Sequence, residues 1–187
     1  MSRIKPITPE KATGEVKEFY SVLQKKMGRL PNIFQNLGNS PYALKAYINF
    51  SEALSHTSLS PKLREQISLV VGQENQCNYC LCAHTAIGKQ LGLTDEEIMF
   101  ARQGRSKDPK TQAILQFVKS VVDNKGHLKD QEFNNLRAQG ISDQELTQIM
   151  LAINFNMFTN YFNHITEPVL DFPQVEELSA SFSGASR

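Results

Sequence analysis

Glu65, Cys77, Cys80 and His84 are the residues of this chain whose types and spacing could do chemistry together. All three cysteines, Cys77, Cys80 and Cys82, fall within six consecutive positions, and His84 follows at once. Cys77 and Cys80 form a C-x-x-C pair. On one helical turn their sulfurs come within bonding reach, so a reversible disulfide is sterically reasonable. The thiolate is the attacking form of cysteine, and the unfilled N–H groups of a helix start favour it, which by itself points to Cys77. His84 lies four residues after Cys80 and seven after Cys77, spacings that share one helical face. A histidine there can take a thiol proton and return it to a leaving group. Cys82 should face elsewhere and reads as a core filler.

Glu65 could orient or charge His84, completing a nucleophile–base–orienter set. It cannot do so along one straight helix, where twelve residues span roughly 18 Å. The chain must bend between Gly72 and Gln76, and the two helices must cross. Two other readings fit the same residues. Cys77 and Cys80 could be small buried hydrophobes. Alternatively Cys77, Cys80 and His84, with one of His56, His127 or His164, could hold zinc, although no second ligand pair of the usual kind is visible.

The elements that would position these groups are helical. Ser40-Pro41 and Ser60-Pro61 are cap-plus-proline starts, and Thr8-Pro9 is read as another. Thr94 to Glu97 and Ser142 to Glu145 are capping boxes. Apolar residues recur at helical spacing, as in Val16, Phe19, Tyr20 and Leu23, or Ala113, Ile114, Phe117, Val118 and Val121. No stretch alternates with period two between hairpin turns, so the class is all-α. A shift of 82 residues superposes Ser60 on Ser142, Gln66-Ile67 on Gln148-Ile149 and Asn78-Tyr79 on Asn160-Tyr161. This suggests a duplicated helical hairpin that keeps its chemistry in the first copy, because Thr147, Thr159 and Phe162 replace Glu65, Cys77 and Cys80. Residues 1–172 read as one domain with its redox core at about 50–102, and 173–187 as a tail. The stretch beyond Pro168 reads as partner-dependent or disordered. Asn154, Asn156, Asn160 and Asn163 recur in the last helix with no role beyond hydrogen bonds at an interface. Phe155, Phe158 and Phe162 read as core or subunit contact.

The formal net charge of +1 gives no field for nucleic acid or anionic membrane. No apolar run approaches the roughly 20 residues of a membrane span, and no signal peptide is visible. A cytoplasmic protein is expected, where clustered cysteines are more often catalytic or metal-binding.

The pattern Glu-x11-Cys-x-Tyr-Cys-x3-His resembles the AhpD-like alkylhydroperoxidase branch of the carboxymuconolactone decarboxylase superfamily. Leu30-Pro-Asn-Ile-Phe34 and Ser40-Pro41 add a likeness to its peroxidase-related subgroup. The resemblance implies an AhpD-like helical fold assembled as trimers or hexamers. It also implies reduction of hydrogen peroxide or organic hydroperoxides without cofactor or metal. By that likeness Cys80 attacks the peroxide, Cys77 resolves it to a disulfide that a dithiol reductant reopens, and His84 with Glu65 relays protons. Tyr79 is a departure, since the best-studied members carry histidine there. A phenol, with an unperturbed pKa of about 10, is a poor proton acceptor at neutral pH. The decarboxylase branch lacks the cysteine pair, which disfavours that activity. A general disulfide oxidoreductase or redox sensor is the alternative function, and a zinc-binding module a further one.

Overall fold

Nine helices build the described part of the chain, residues 2–176 and 178 of a computed structural model, and no strand occurs among those residues. They are α1 (Gly14–Met27), α2 (Asn32–Leu37), α3 (Pro41–Ser55), α4 (Pro61–Glu74), α5 (Asn78–Gln90), α6 (Asp95–Arg102), α7 (Pro109–Asp123), α8 (Asp130–Ala138) and α9 (Asp143–Thr166). The starts follow local chemistry. The Ser40 and Ser60 hydroxyls accept from the Ala43 and Leu63 amides, with proline in the first turn of each helix. Thr94 and Ser142 close full capping boxes with Glu97 and Glu145. Thr8 is different. Its carbonyl accepts from the Lys11 and Ala12 amides in an isolated turn, and the first helix begins only after Thr13.

Helix α4 is the hub, packed against α5, α6, α7 and α9. Its residues from Gln66 to Gly72 are buried without a break, so α4 is sheathed on all sides rather than half-exposed. Two apolar clusters flank it. The larger joins α4, α6, α7 and α9 through residues such as Ile67, Val70, Leu115, Val118 and Ile149. The smaller joins the N-terminal helices through Tyr20, Phe34, Leu37 and Leu44, and it takes in Cys77, Tyr79 and Cys80. The cysteine turn therefore lies on the seam between the two clusters.

The bend required between Gly72 and Gln76 is present, and its construction is specific. The Gln76 amide donates to the Gln73 carbonyl and the Cys77 amide to the Gly72 carbonyl. Gln76 itself takes a left-handed φ of 55°. This is a Schellman closure, in which one left-handed residue satisfies the last carbonyls of a helix. It ends α4, and Cys77 becomes the residue from which α5 starts.

The second half of the expected duplication is not a hairpin. Ser142 does cap a helix as Ser60 does, but α9 runs unbroken for 24 residues through the positions equivalent to the bend. Phe158 stands there in place of Gln76, and a bulky aromatic side chain resists the left-handed conformation that the bend needs.

The stretch beyond Pro168 also departs from its sequence reading. Residues 168–176 form a strap over the body: Leu170 and Phe172 pack on the smaller cluster and Val175 on the larger. The body thus extends past residue 172. The rest of the expected tail, residues 177 and 179–187, lies outside the described residues. No helix is long and apolar enough to cross a membrane among the described residues.

Candidate active site

Cys77 and Cys80 are joined as a disulfide with their Cα atoms 5.2 Å apart. Both lie in the opening turn of α5, where backbone N–H groups are free to favour negative charge on either sulfur. Helix-start position therefore does not single out Cys77. Both cysteines are nearly buried, at 1% and 3% exposure, but only Cys80 reaches the adjoining cleft. Cys82 is a free thiol in the core, its Sγ turned to Asn78 Oδ1 at 3.7 Å, away from the pair.

Glu65 and His84 meet because α4 and α5 fold back on each other at the bend. His84 Nδ1 lies 2.7 Å from Glu65 Oε2. A carboxylate at Nδ1 holds the ring orientation and, in the neutral imidazole, places the proton on Nδ1, leaving the Nε2 lone pair as the base. The bend and the crossing required of Glu65 are both realised. His84 and Cys80 border the same small cleft, about 60 Å³ and partly open to solvent, with Phe34, Tyr47, Phe155 and Phe172 among its walls. Glu65 lies near Tyr47, whose phenol is pushed above its ordinary value by burial first and then by the Glu65 charge.

Tyr79 takes up both hydrogen-bonding roles of its hydroxyl away from the disulfide. It donates to Asp171 Oδ1 at 2.7 Å and accepts from the Ile33 amide at 3.2 Å. Burial first, then the bond to Asp171, pushes this phenol well above the ordinary tyrosine range. Asp171 is also paired with Arg29 and accepts from the Asn32 amide at 3.1 Å. The Phe172 ring meets Tyr79 edge-on at 5.7 Å, and the Arg29 guanidinium lies over Phe172 at 4.5 Å. Tyr79 thus fastens the strap to α5 and α2.

Two groups at the site have no counterpart among the candidates read from the sequence. Asp171 stands in the stretch read as a tail. Asn163 belongs to the asparagine series of α9, and its Nδ2 donates to Cys80 Sγ at 3.2 Å. Of that series Asn160 and Asn163 face the turn within the same chain: Asn75 Nδ2 donates to Asn160 Oδ1 at 3.0 Å, whereas Asn154 and Asn156 donate to carbonyls of their own helix. The asparagine periodicity was a usable signal, but nothing local showed which helix it would meet. Among the described residues no group of three or more His, Cys, Asp or Glu side chains is arranged to hold a metal ion.

The site is therefore a C-x-x-C disulfide at a helix start within an all-helical body. Residues 41–121 match the carboxymuconolactone decarboxylase family. The alkyl hydroperoxide reductase of Mycobacterium tuberculosis is 28% identical over 96 residues, which is 51% of this chain; the chain spans only 28% of that relative's length. Among solved structures, the fold matches the AhpD-core, peroxidase-related protein of Ralstonia eutropha with a TM-score of 0.78 at 23% identity, covering 89% of this chain and 90% of that one. It also matches the debrominase Bmp8 bound to 2,3,4-tribromopyrrole, with a TM-score of 0.78 at 18% identity over 91% of this chain and 94% of that one. At these identities the structural likeness establishes the fold, and one fold serves several chemistries.

Proposed function

We propose that the protein is a thiol peroxidase that reduces hydrogen peroxide or organic hydroperoxides at Cys80, regenerated by a dithiol in the cytoplasm. The carrying observation is that Cys80 of the disulfide and the Glu65-held His84 border one cleft. In the reduced protein, His84 takes the Cys80 proton. The thiolate attacks the terminal oxygen of ROOH, an S–O bond forms, the O–O bond breaks, and the sulfur supplies the two electrons. The leaving alkoxide takes the proton from His84 and departs as ROH. The Cys77 thiol then displaces the oxygen of the sulfenic acid as water and closes the disulfide. A dithiol reopens it by two exchange steps and leaves as its own disulfide. Tyr79 acts in this scheme as a positioning residue, since its hydroxyl is committed to Asp171 and Ile33.

Assembly into a trimer or hexamer is part of the proposal. Phe158, Tyr161 and Ile165 of α9, with Val169 just beyond it, are large exposed apolar groups recurring along one stretch, the kind of surface that marks subunit contact.

Purified, reduced protein should consume one equivalent of hydroperoxide and lose two thiols by mass, and Cys80→Ser should abolish turnover. Unchanged turnover in that variant would refute the scheme. A general disulfide oxidoreductase is the second reading, favoured by the same engagement of Tyr79, which leaves no proton carrier between the cysteines. Fast exchange with model disulfides, alongside negligible peroxide consumption, would select it.

A further inference from the structure

We infer that Asn163 is a catalytic residue that donates to the Cys80 thiolate and offers its carbonyl oxygen to the incoming hydroperoxide; this rests on the peroxidase reading above. Asn163 is 5% exposed and lies on the cleft wall beside Cys80. Its Nδ2 is 3.2 Å from Cys80 Sγ, while its Oδ1 is buried without a hydrogen-bond partner among the described residues. An orphaned acceptor of this kind has a cost in the resting protein. It becomes useful when a ligand brings an O–H to it.

The hydroperoxide O–H is that group. Donated to Oδ1, it leaves the terminal oxygen next to the sulfur that attacks it, because the two ends of one amide face sulfur and substrate. The donor end matters most in the reduced state. A disulfide sulfur is a weak acceptor, whereas a thiolate accepts a charge-assisted bond. The same N–H then faces the oxygen-bearing sulfur after S–O bond formation. Cys77 lacks these features: it does not border the cleft, and among the described residues no side chain donates to its sulfur. Asn163 therefore separates two cysteines that share one helix start, and assigns the attack to Cys80.

The alternatives for the α9 asparagines are structural, and Asn160 illustrates one, since it accepts from Asn75 and ties α9 to the bend. Asn163 differs because its donor meets a redox sulfur.

The test compares Asn163→Leu and Asn163→Asp with the unaltered protein in the reduced state. The first readout is the pH profile of Cys80 alkylation by iodoacetamide, located by peptide mass; the second is single-turnover oxidation by cumene hydroperoxide. Removing the donor should move the alkylation midpoint upward by about one pH unit or more. The Asp variant is nearly isosteric and sets a carboxylate against the thiolate, so its midpoint should move further than that of the Leu variant. Oxidation should slow by roughly tenfold to a hundredfold in Asn163→Leu. A midpoint in Asn163→Asp equal to that of the unaltered protein overturns the inference. So does an unchanged oxidation rate in Asn163→Leu where the unaltered protein is active. If the unaltered protein does not react with hydroperoxide but the midpoints shift in the stated order, the thiolate role stands and the peroxidase reading fails.

Discussion

Single side chains decide whether this fold can do redox chemistry. Glu65, Cys77, Cys80 and His84 are readable from spacing because their geometry is that of two helices and one bend. Asp171 and Asn163 are not, as their partners Tyr79 and Cys80 lie 92 and 83 positions away, and only the packing of the strap and α9 brings them together. Tyr79 shows the limit of reading by residue type. Its substitution for histidine suggests altered proton transfer, whereas its hydroxyl in fact anchors the strap. Tyr79→Phe should therefore cost about 1–3 kcal/mol of stability, because the buried Ile33 amide and the Asp171 carboxylate each lose a partner. Its peroxide turnover should fall far less than that of Glu65→Gln. Urea unfolding and steady-state rates on the two variants check this together.

At the level of elements, the helix starts were legible because a capping residue and a proline are local signals. The bend was legible only as a place where something must turn. Which residue takes the left-handed conformation was hidden, since glutamine occupies a position that usually carries glycine. Gln76→Gly should stabilise the protein by up to about 1 kcal/mol, seen as a higher urea midpoint with an unchanged slope. The start of α9 carries a pH signature. The Lys110 ammonium first, then the Ser142 amide, hold the Glu145 carboxyl down from 4.5 to about 2. A group depressed in the folded state contributes stability above its unfolded value and loses it as pH falls through the folded one. The stability gap between the unaltered protein and Glu145→Gln should hold above pH 5 and shrink as the pH falls towards 2 in denaturant titrations. The expected second hairpin was misread for a related reason: shared capping and core residues matched well, but the bend rests on a single conformationally permissive position that the second copy lacks.

The whole molecule is two apolar clusters around a sheathed helix, with the cysteine turn on their seam and a strap across it. Composition and helical period were enough to expect an all-α body, but they could not show that the strap of residues 168–176 belongs to the site. The exposed row on α9 belongs to this scale too. Ile165, 66% exposed, is the most open of its large apolar groups. Ile165→Asp together with Tyr161→Asp should reduce the assembly to monomers in light scattering after gel filtration, with helix content preserved by circular dichroism. A monomeric unaltered protein would contradict the proposed assembly.

The unequal access of the two sulfurs has a kinetic consequence. Of the two sulfurs only Cys80 borders the cleft, so in the proposed peroxidase cycle oxidant and reductant share one doorway, and each enters after the other's product has left. Turnover should then be ping-pong, with parallel double-reciprocal lines when dithiol and hydroperoxide are varied. Excess dithiol should inhibit competitively against hydroperoxide by occupying the reduced site.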